Sequence, residues 1–319
     1  MNRTILTKRD FLDLDGYSRT EITRLIRDAL NLKLHGYPRD MPLKQKFVAL
    51  LFQKPSTRTR VSFEVAAGLL GGRSLYLGWQ ELQLGRGETI ADTARVLSRY
   101  VDAIVARVYH HQDLSELALH SEKPVINALS DLLHPCQALA DATTVAEEKG
   151  KLSSLKIAYV GDGNNVCNSL IEICGKLGLD LAVACPPGYR PSPTILRKAS
   201  ATAEHMRAHI EVLPDPVKAV RQADVVYTDV FVSMGQESER RRRMRAFYPR
   251  YQVNQKLMTH AKRDAIFLHC LPAHRGEEVT DEVIDGDQSR VWQQAENRLH
   301  SEAALLQYLL QTSRGRVKR

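Results

Sequence analysis

No stretch of this 319-residue chain reaches the ~18 consecutive apolar residues that crossing a bilayer requires. The opening MNRTILTKRDFLDLDGYS lacks the apolar core of a signal peptide, and its three acidic residues argue against a transit peptide. Cysteine is scarce: Cys136, Cys167, Cys174, Cys185 and Cys270 make an odd number with no CxxC pair, so reduced thiols of a cytoplasmic protein are expected. Low-complexity segments and internal repeats are absent. Aromatics do not interleave the basic runs RRRMR (Arg241 to Arg245) and SRGRVKR, which argues for solvated faces over nucleic-acid patches.

A soluble globular composition remains, 43% hydrophobic and 26% charged, with a net charge of +8. That excess suits acidic partners, either nucleic acid or small phosphates and carboxylates. SRTE at Ser18 reads as a capping box with Glu21, opening a helix whose Ile22, Leu25, Ile26, Ala29 and Leu30 share a face. Then short apolar runs alternate with helical patterns: FVALLF, SLYLG, DAIVARV, PVINAL, KIAYVG, DLAVAC, HIEVL, DVVYTD and AIFLHC. Continuous rather than alternating apolarity is the mark of parallel strands buried on both faces. The fold class is therefore α/β, and a break near EEKGKLSS (Glu147 to Ser154) implies two domains, each an open parallel sheet flanked by helices. In such sheets ligands bind beyond the carboxyl ends of the strands, where every polar motif of this chain falls.

FVALLF runs into KPSTRTR and then VSFEVAAGLLGG, where Val61, Val65 and Leu69 share a helical face. A Ser or Thr N-cap leaves the first helical N–H groups pointing outward with positive partial charge. Hydroxyls at Ser56, Thr57 and Thr59 and the Arg58 guanidinium add donors, making a cradle for an anion with several oxygens, most naturally a phosphate. An ordinary capped helix with solvated arginines fits the same residues. Arg107 closes DAIVARV and, alone, marks only a turn to solvent; HPCQ (His134 to Gln137) starts another helix with Pro135 near its first position. Of the remaining motifs, VGDGNNV lacks the third glycine of a dinucleotide fingerprint, and no acidic residue closes the next strand. HCLPAHR mixes Cys and His, but zinc wants four ligands from paired motifs, so no metal is expected.

STRTR with its flanking VSFE resembles the carbamoyl-phosphate signature of the aspartate and ornithine carbamoyltransferase family. The resemblance continues through DTARVLSRYVDAIVARV, HPCQALAD, VGDGNNV, DVFVSMGQE, HCLPAHRGEEV and AENRLHSEAAL, in order and over nearly the whole chain, and best matches the ornithine-using branch. It implies that Ser56, Thr57, Arg58, Thr59, Arg107, His134, Pro135, Cys136, Gln137 and Arg298 bind carbamoyl phosphate, with the Cys270–Leu271 backbone touching the carbamoyl group. Gln83, in LQLGRGET, would reach the carbamoyl phosphate of a neighbouring subunit. Asn165, Asp229, Ser233 and Met234 would hold ornithine, with Cys270 beside its side-chain amine, and Arg107, His134, Asp229 and Cys270 carrying the catalysis.

The implied reaction makes L-citrulline and phosphate from carbamoyl phosphate and L-ornithine, without a cofactor, in a homotrimer or an assembly of trimers serving arginine metabolism. Residues 1–150 would form the carbamoyl-phosphate domain, with a C-terminal helix (about 297–319) packing back on it, and 151–296 the ornithine domain. A second reading keeps the chemistry but uses another amine such as putrescine, which would leave Asn165 and the SMG run without an α-carboxylate to serve. A nucleic-acid-binding protein would use the charge but leave the strand-end motifs unexplained.

Overall fold

All nine apolar runs are strands, and they form two sheets of four and five rather than one. The computed structural model describes residues 8–312; the opening residues 1–7 and the terminal SRGRVKR, whose solvation was expected, lie outside the described residues. Two compact units result: one holds residues up to Gly16, Thr20–Leu139 and the chain from Arg298 onward, the other Tyr17–Arg19 and Ala140–Asn297.

In the first unit α1 (Arg19–His35) precedes β1 (Phe47–Phe52), α2 (Thr57–Leu69), β2 (Arg73–Gly78), α3 (Ile90–Tyr100), β3 (Ala103–Arg107), α4 (His111–His120), β4 (Val125–Leu129) and the start of α5 (Pro135–Lys149). The strands pair in parallel in the order β2-β1-β3-β4. The chain passes outward from β1 to β2 and then crosses back to β3, so the winding reverses between β1 and β3. That reversal opens a crevice at the carboxyl ends, Phe52 and Arg107, which are register partners.

In the second unit β5 (Lys156–Val160), α6 (Asn165–Leu177), β6 (Asp180–Ala184), α7 (Pro193–His205), β7 (Ile210–Leu213), α8 (Pro216–Val220), β8 (Val225–Thr228), α9 (Arg240–Phe247), α10 (Gln255–Met258), β9 (Ile266–His269), α11 (Asp281–Ile284) and α12 (Val291–Thr312) follow in turn, α12 running on into the residues counted with the first unit. Its parallel order is β7-β6-β5-β8-β9, so the winding reverses between β5 and β8.

One expectation needs correction. β2 and β7 are edge strands with part of their surface exposed, so burial on both faces fails there, whereas the other two edge strands, β4 and β9, are buried almost throughout. On α2 the helix buries Thr59, Phe63, Ala66 and Ala67, which leaves the Val61–Val65–Leu69 stripe on the outer face. Among the described residues no helix is long and apolar enough to cross a membrane.

Candidate functional site

At the first switch point Ser56 caps α2, its hydroxyl accepting from the Thr59 N–H at 3.2 Å. The two arginines of STRTR part company there. Arg60 lies on the surface, paired with Glu64 at 3.0 Å and stacked 3.9 Å over the Tyr76 ring, while Arg58 is half-buried. Thr59 is buried, and its hydroxyl oxygen accepts from Arg298 Nη2 at 3.3 Å. Arg298 also donates from Nη1 to Gln137 Oε1 at 2.8 Å, and Nε and Nη2 both donate to Glu302 Oε1, at 2.9 and 2.5 Å. Residues 161 and 239 positions apart are thereby tied into one buried network.

His134 and Arg107 are buried beside this network. Burial first, then the charges of Arg298 and Arg107, push the His134 pKa well below its ordinary value of 6.5. A neutral imidazole results, which donates or accepts a hydrogen bond without adding a charge. Cys136 behaves differently from its neighbours in HPCQ. Its thiol is buried and donates to the Asn127 carbonyl at 3.3 Å, so only its backbone is left for a ligand, and burial pushes its pKa far up. Gln83 is exposed in a 3₁₀ turn (Gln83–Arg86) whose Leu84 is anchored in the core of this unit, so LQLGRGET is a shaped loop.

At the second switch point GDGNN follows β5, DVFVSMG follows β8 and HCLP follows β9. Both glycines of GDGNN serve the backbone: Gly161 has φ 149°, and a Cβ on Gly163 would sit 2.2 Å from the Pro191 nitrogen. Packing therefore explains the pair of glycines that resembled a dinucleotide fingerprint. Asn164 caps α6, its side-chain oxygen accepting from the Val166 and Cys167 N–H groups, and its amide donates to Asp229 Oδ2 at 2.7 Å. Cys270 Sγ donates to the other Asp229 oxygen at 3.0 Å. Asn165, the expected ligand, begins α6 beside them, its side-chain oxygen 3.0 Å from the Val166 N–H. Ser233 and Met234 lie in a tight turn in which the Gln236 N–H donates to the Ser233 carbonyl at 3.0 Å; Met234 is 50% exposed.

Leu271 has φ 58°, sparsely populated for a leucine, and its N–H donates to His269 Nδ1 at 2.9 Å. His269 Nε2 lies 3.2 Å from Glu278 Oε1. Folding brings Asp229, His269 and Cys270 ligand atoms within 4.8 Å of one another, a grouping that residue spacing alone did not predict. Both His269 nitrogens and the Cys270 thiol are already hydrogen-bonded, so a metal there would have to displace those bonds.

The basic run RRRMR also differs from expectation. Arg243 is 6% exposed, not solvated: Nη1 donates to Asp162 at 2.9 Å and to the Phe231 carbonyl at 3.2 Å, and Nε donates to Glu239 at 3.3 Å. One guanidinium thus ties the GDGNN turn to both flanks of the SMG loop. Asn164, Arg243 and Glu302 are the supporting residues that sequence reading missed. The N-cap position marked Asn164, and an Arg-x-x-x-Glu pair on one helix face marked Glu302; no local signal singled out Arg243 among its neighbours.

Two open parallel sheets, each gathering polar side chains at its own switch point, define a two-unit α/β protein. Residues 9–147 match the family profile described as aspartate/ornithine carbamoyltransferase, carbamoyl-P binding domain, and residues 153–309 that described as aspartate/ornithine carbamoyltransferase, Asp/Orn binding domain. The chain is 56% identical over 308 residues to the ornithine carbamoyltransferase of Pyrococcus horikoshii, covering 96% of each. It is also 56% identical over 304 residues to the anabolic ornithine carbamoyltransferase of Pyrococcus furiosus, covering 94% of this chain and 96% of that one. A solved structure of ornithine carbamoyltransferase from Pyrococcus furiosus superimposes with a TM-score of 0.89 at 55% identity, covering 94% of this chain and 96% of that one. The chain belongs to the aspartate/ornithine carbamoyltransferase family and is a carbamoyltransferase.

Proposed function

We propose that the protein transfers the carbamoyl group of carbamoyl phosphate to the side-chain amine of L-ornithine, giving L-citrulline and phosphate. The observation that carries the choice of amine is the Asp229 carboxylate, buried at the end of β8 and held by Asn164 and Cys270. An anion there suits an acceptor with ammonium groups, whereas aspartate would need cations for its second carboxylate. Asn165 and the Ser233–Met234 turn supply polar atoms suited to an α-carboxylate, which putrescine lacks. The family resemblance and the relatives' names favour the same amine.

Carbamoyl phosphate is held by Ser56, Thr57, Arg58 and Thr59 at the start of α2, with Arg58 on the phosphate and Arg107, His134 and Gln137 on the carbamoyl group. An alkylamine has a pKa near ~10.4, so the δ-amine must shed a proton before it attacks. Asp229 and Cys270 position that amine. As the carbamoyl carbon becomes tetrahedral, its oxygen gains negative charge, which the Thr59 hydroxyl, the Arg107 guanidinium and neutral His134 meet with hydrogen bonds. Phosphate then leaves with its charge already matched by Arg58 and the α2 amides. Positioning and electrostatics carry the reaction, and the binding set calls on no cofactor.

The working unit in this reading is a homotrimer in the cytoplasm, serving arginine metabolism, with Gln83 completing the neighbour's site. The exposed Val61–Val65–Leu69 stripe and the exposed, shaped Gln83 loop support self-association. Phosphate release measured with L-ornithine, L-aspartate and putrescine tests the chemistry: ornithine should be preferred by orders of magnitude, and equal rates with putrescine would sink the reading. Mixing inactive Arg107→Ala and Gln83→Glu subunits tests the sharing. About a quarter of the sites should recover on random reassembly, and none if Gln83 serves its own chain.

A further inference from the structure

Arg298 spends its donors inside the protein. Nε and Nη2 both reach Glu302 Oε1, Nη1 reaches Gln137 Oε1 and Nη2 reaches Thr59 Oγ1. The pair is deeply buried, the side chains 4% and 1% exposed. Arginine only donates, so the Gln137 atom facing it must be the amide oxygen, and the Gln137 NH₂ is turned to the other side. Likewise Thr59 accepts from Arg298 and keeps its own hydroxyl hydrogen to give elsewhere. The guanidinium therefore sets which way two substrate-facing groups donate, and Glu302, one helical turn further along α12, sets the guanidinium.

We propose that Glu302 is a positioning residue for carbamoyl transfer: by engaging the Nε–Nη2 edge of Arg298 with one carboxylate oxygen it holds the guanidinium where Gln137 and Thr59 present their N–H and O–H groups to carbamoyl phosphate. Desolvating an ion pair is costly, and a well-packed apolar replacement often stabilises a fold as well or better, so stability alone is a poor reason for a carboxylate here. Burial raises the Glu302 pKa, while the Arg298 charge and then the Ser62 hydroxyl pull it back, as expected for a carboxylate kept for its partner. This inference rests on the carbamoyl-phosphate reading of the first unit but not on the identity of the amine.

The test compares Glu302→Gln, which keeps an acceptor oxygen for Arg298, with Glu302→Met, which fills the volume without one. Affinity for carbamoyl phosphate is titrated with no amine present, and KM and kcat are measured with ornithine. Glu302→Met should lose ~10-fold or more in carbamoyl-phosphate affinity and in kcat/KM for it, the scale on which supporting partners act. Glu302→Gln should stay within about threefold of wild type, and the KM for ornithine should move less than about twofold in either. A folded Met variant that binds carbamoyl phosphate as wild type does would reduce Glu302 to a structural role. Tighter binding would make it a competing charge, and either result overturns the proposal. If the Met variant does not fold, Glu302→Asp, too short to reach both Nε and Nη2, must show the same loss; wild-type affinity in it overturns the proposal equally. A wild type that binds carbamoyl phosphate but makes no citrulline would instead sink the ornithine reading.

Discussion

Where the first sheet ends, Thr59, Gln137, Arg298 and Glu302 hydrogen-bond to one another out of solvent, drawn from segments 161 and 239 residues apart. Where the second ends, Asn164 and Cys270 hold Asp229, and the adjoining turn leaves Met234 50% exposed. One half is thus a buried lattice and the other an anchored carboxylate beside an open turn. The difference suits the two ligands proposed above. A phosphate with a planar carbamoyl group presents many acceptors at fixed angles, which favours donors locked before binding. An amino acid with a long alkyl arm offers charges far apart, which suits separate contacts on adjustable backbone.

The largest effect expected from this contrast is in the locked half. Arg58→Gly removes the guanidinium assigned to the phosphate and should cut kcat/KM for carbamoyl phosphate by about 10²–10³, with the melting temperature nearly unchanged. Turnover near wild type at low carbamoyl phosphate would remove Arg58 from the site. Next comes Asp229→Asn in the open half, which should raise the KM for ornithine by roughly 10²-fold while carbamoyl-phosphate affinity, titrated alone, stays put. Equal losses for both ligands would make Asp229 structural and dissolve the division of labour.

The strands were legible because burial on both faces writes continuous apolar runs, and even the partly exposed edge strand β2 keeps enough apolar residues to be seen. The strand-end positions of STRTR, HPCQ, GDGNN, SMG and HCLP were legible for the same reason. Side-chain direction was not. STRTR shows two arginines in one helical turn, but only folding puts Arg60 on Tyr76 and Glu64 and leaves Arg58 half-buried at the start of α2. HPCQ shows a cysteine among candidate ligands, and only the packing of α5 turns its thiol to the Asn127 carbonyl. The Val61–Val65–Leu69 stripe has helical spacing, yet spacing cannot say whether a face meets the core or the outside. Arg243 is the extreme case. A run of arginines looks like a solvated surface, and the partners that bury this one, Asp162 and the Phe231 carbonyl, are brought to it by tertiary folding alone.

Arg243 sharpens the contrast at a smaller scale. Arg243→Met cuts the tie between the GDGNN turn and the flanks of the SMG loop, and it should raise the KM for ornithine about 10-fold with carbamoyl-phosphate affinity within about twofold. A variant that changed both alike would mean that the clamp supports the fold at large rather than the amino-acid half.

The smallest effect belongs to Asp162, the clamp's acidic partner. Burial raises its pKa from 3.8 to about 6 against the opposing pull of Arg243, with the Asp229 and Glu239 charges adding to the rise. Folded protein therefore holds a proton on this group in a range where the unfolded chain has lost it. The group's contribution to stability is fully present below about pH 4 and is lost as pH rises through about 6. Asp162→Asn has no such proton. The melting temperature of wild type relative to this variant should fall by a few degrees between about pH 4 and 6.5, then stay level. Melting curves of both proteins across that range decide the matter. A wild-type advantage that grows with pH would mean that Asp162 is held ionised by Arg243 with a lowered pKa, and the clamp would then be a strong buried ion pair rather than a carboxyl kept near its titration point.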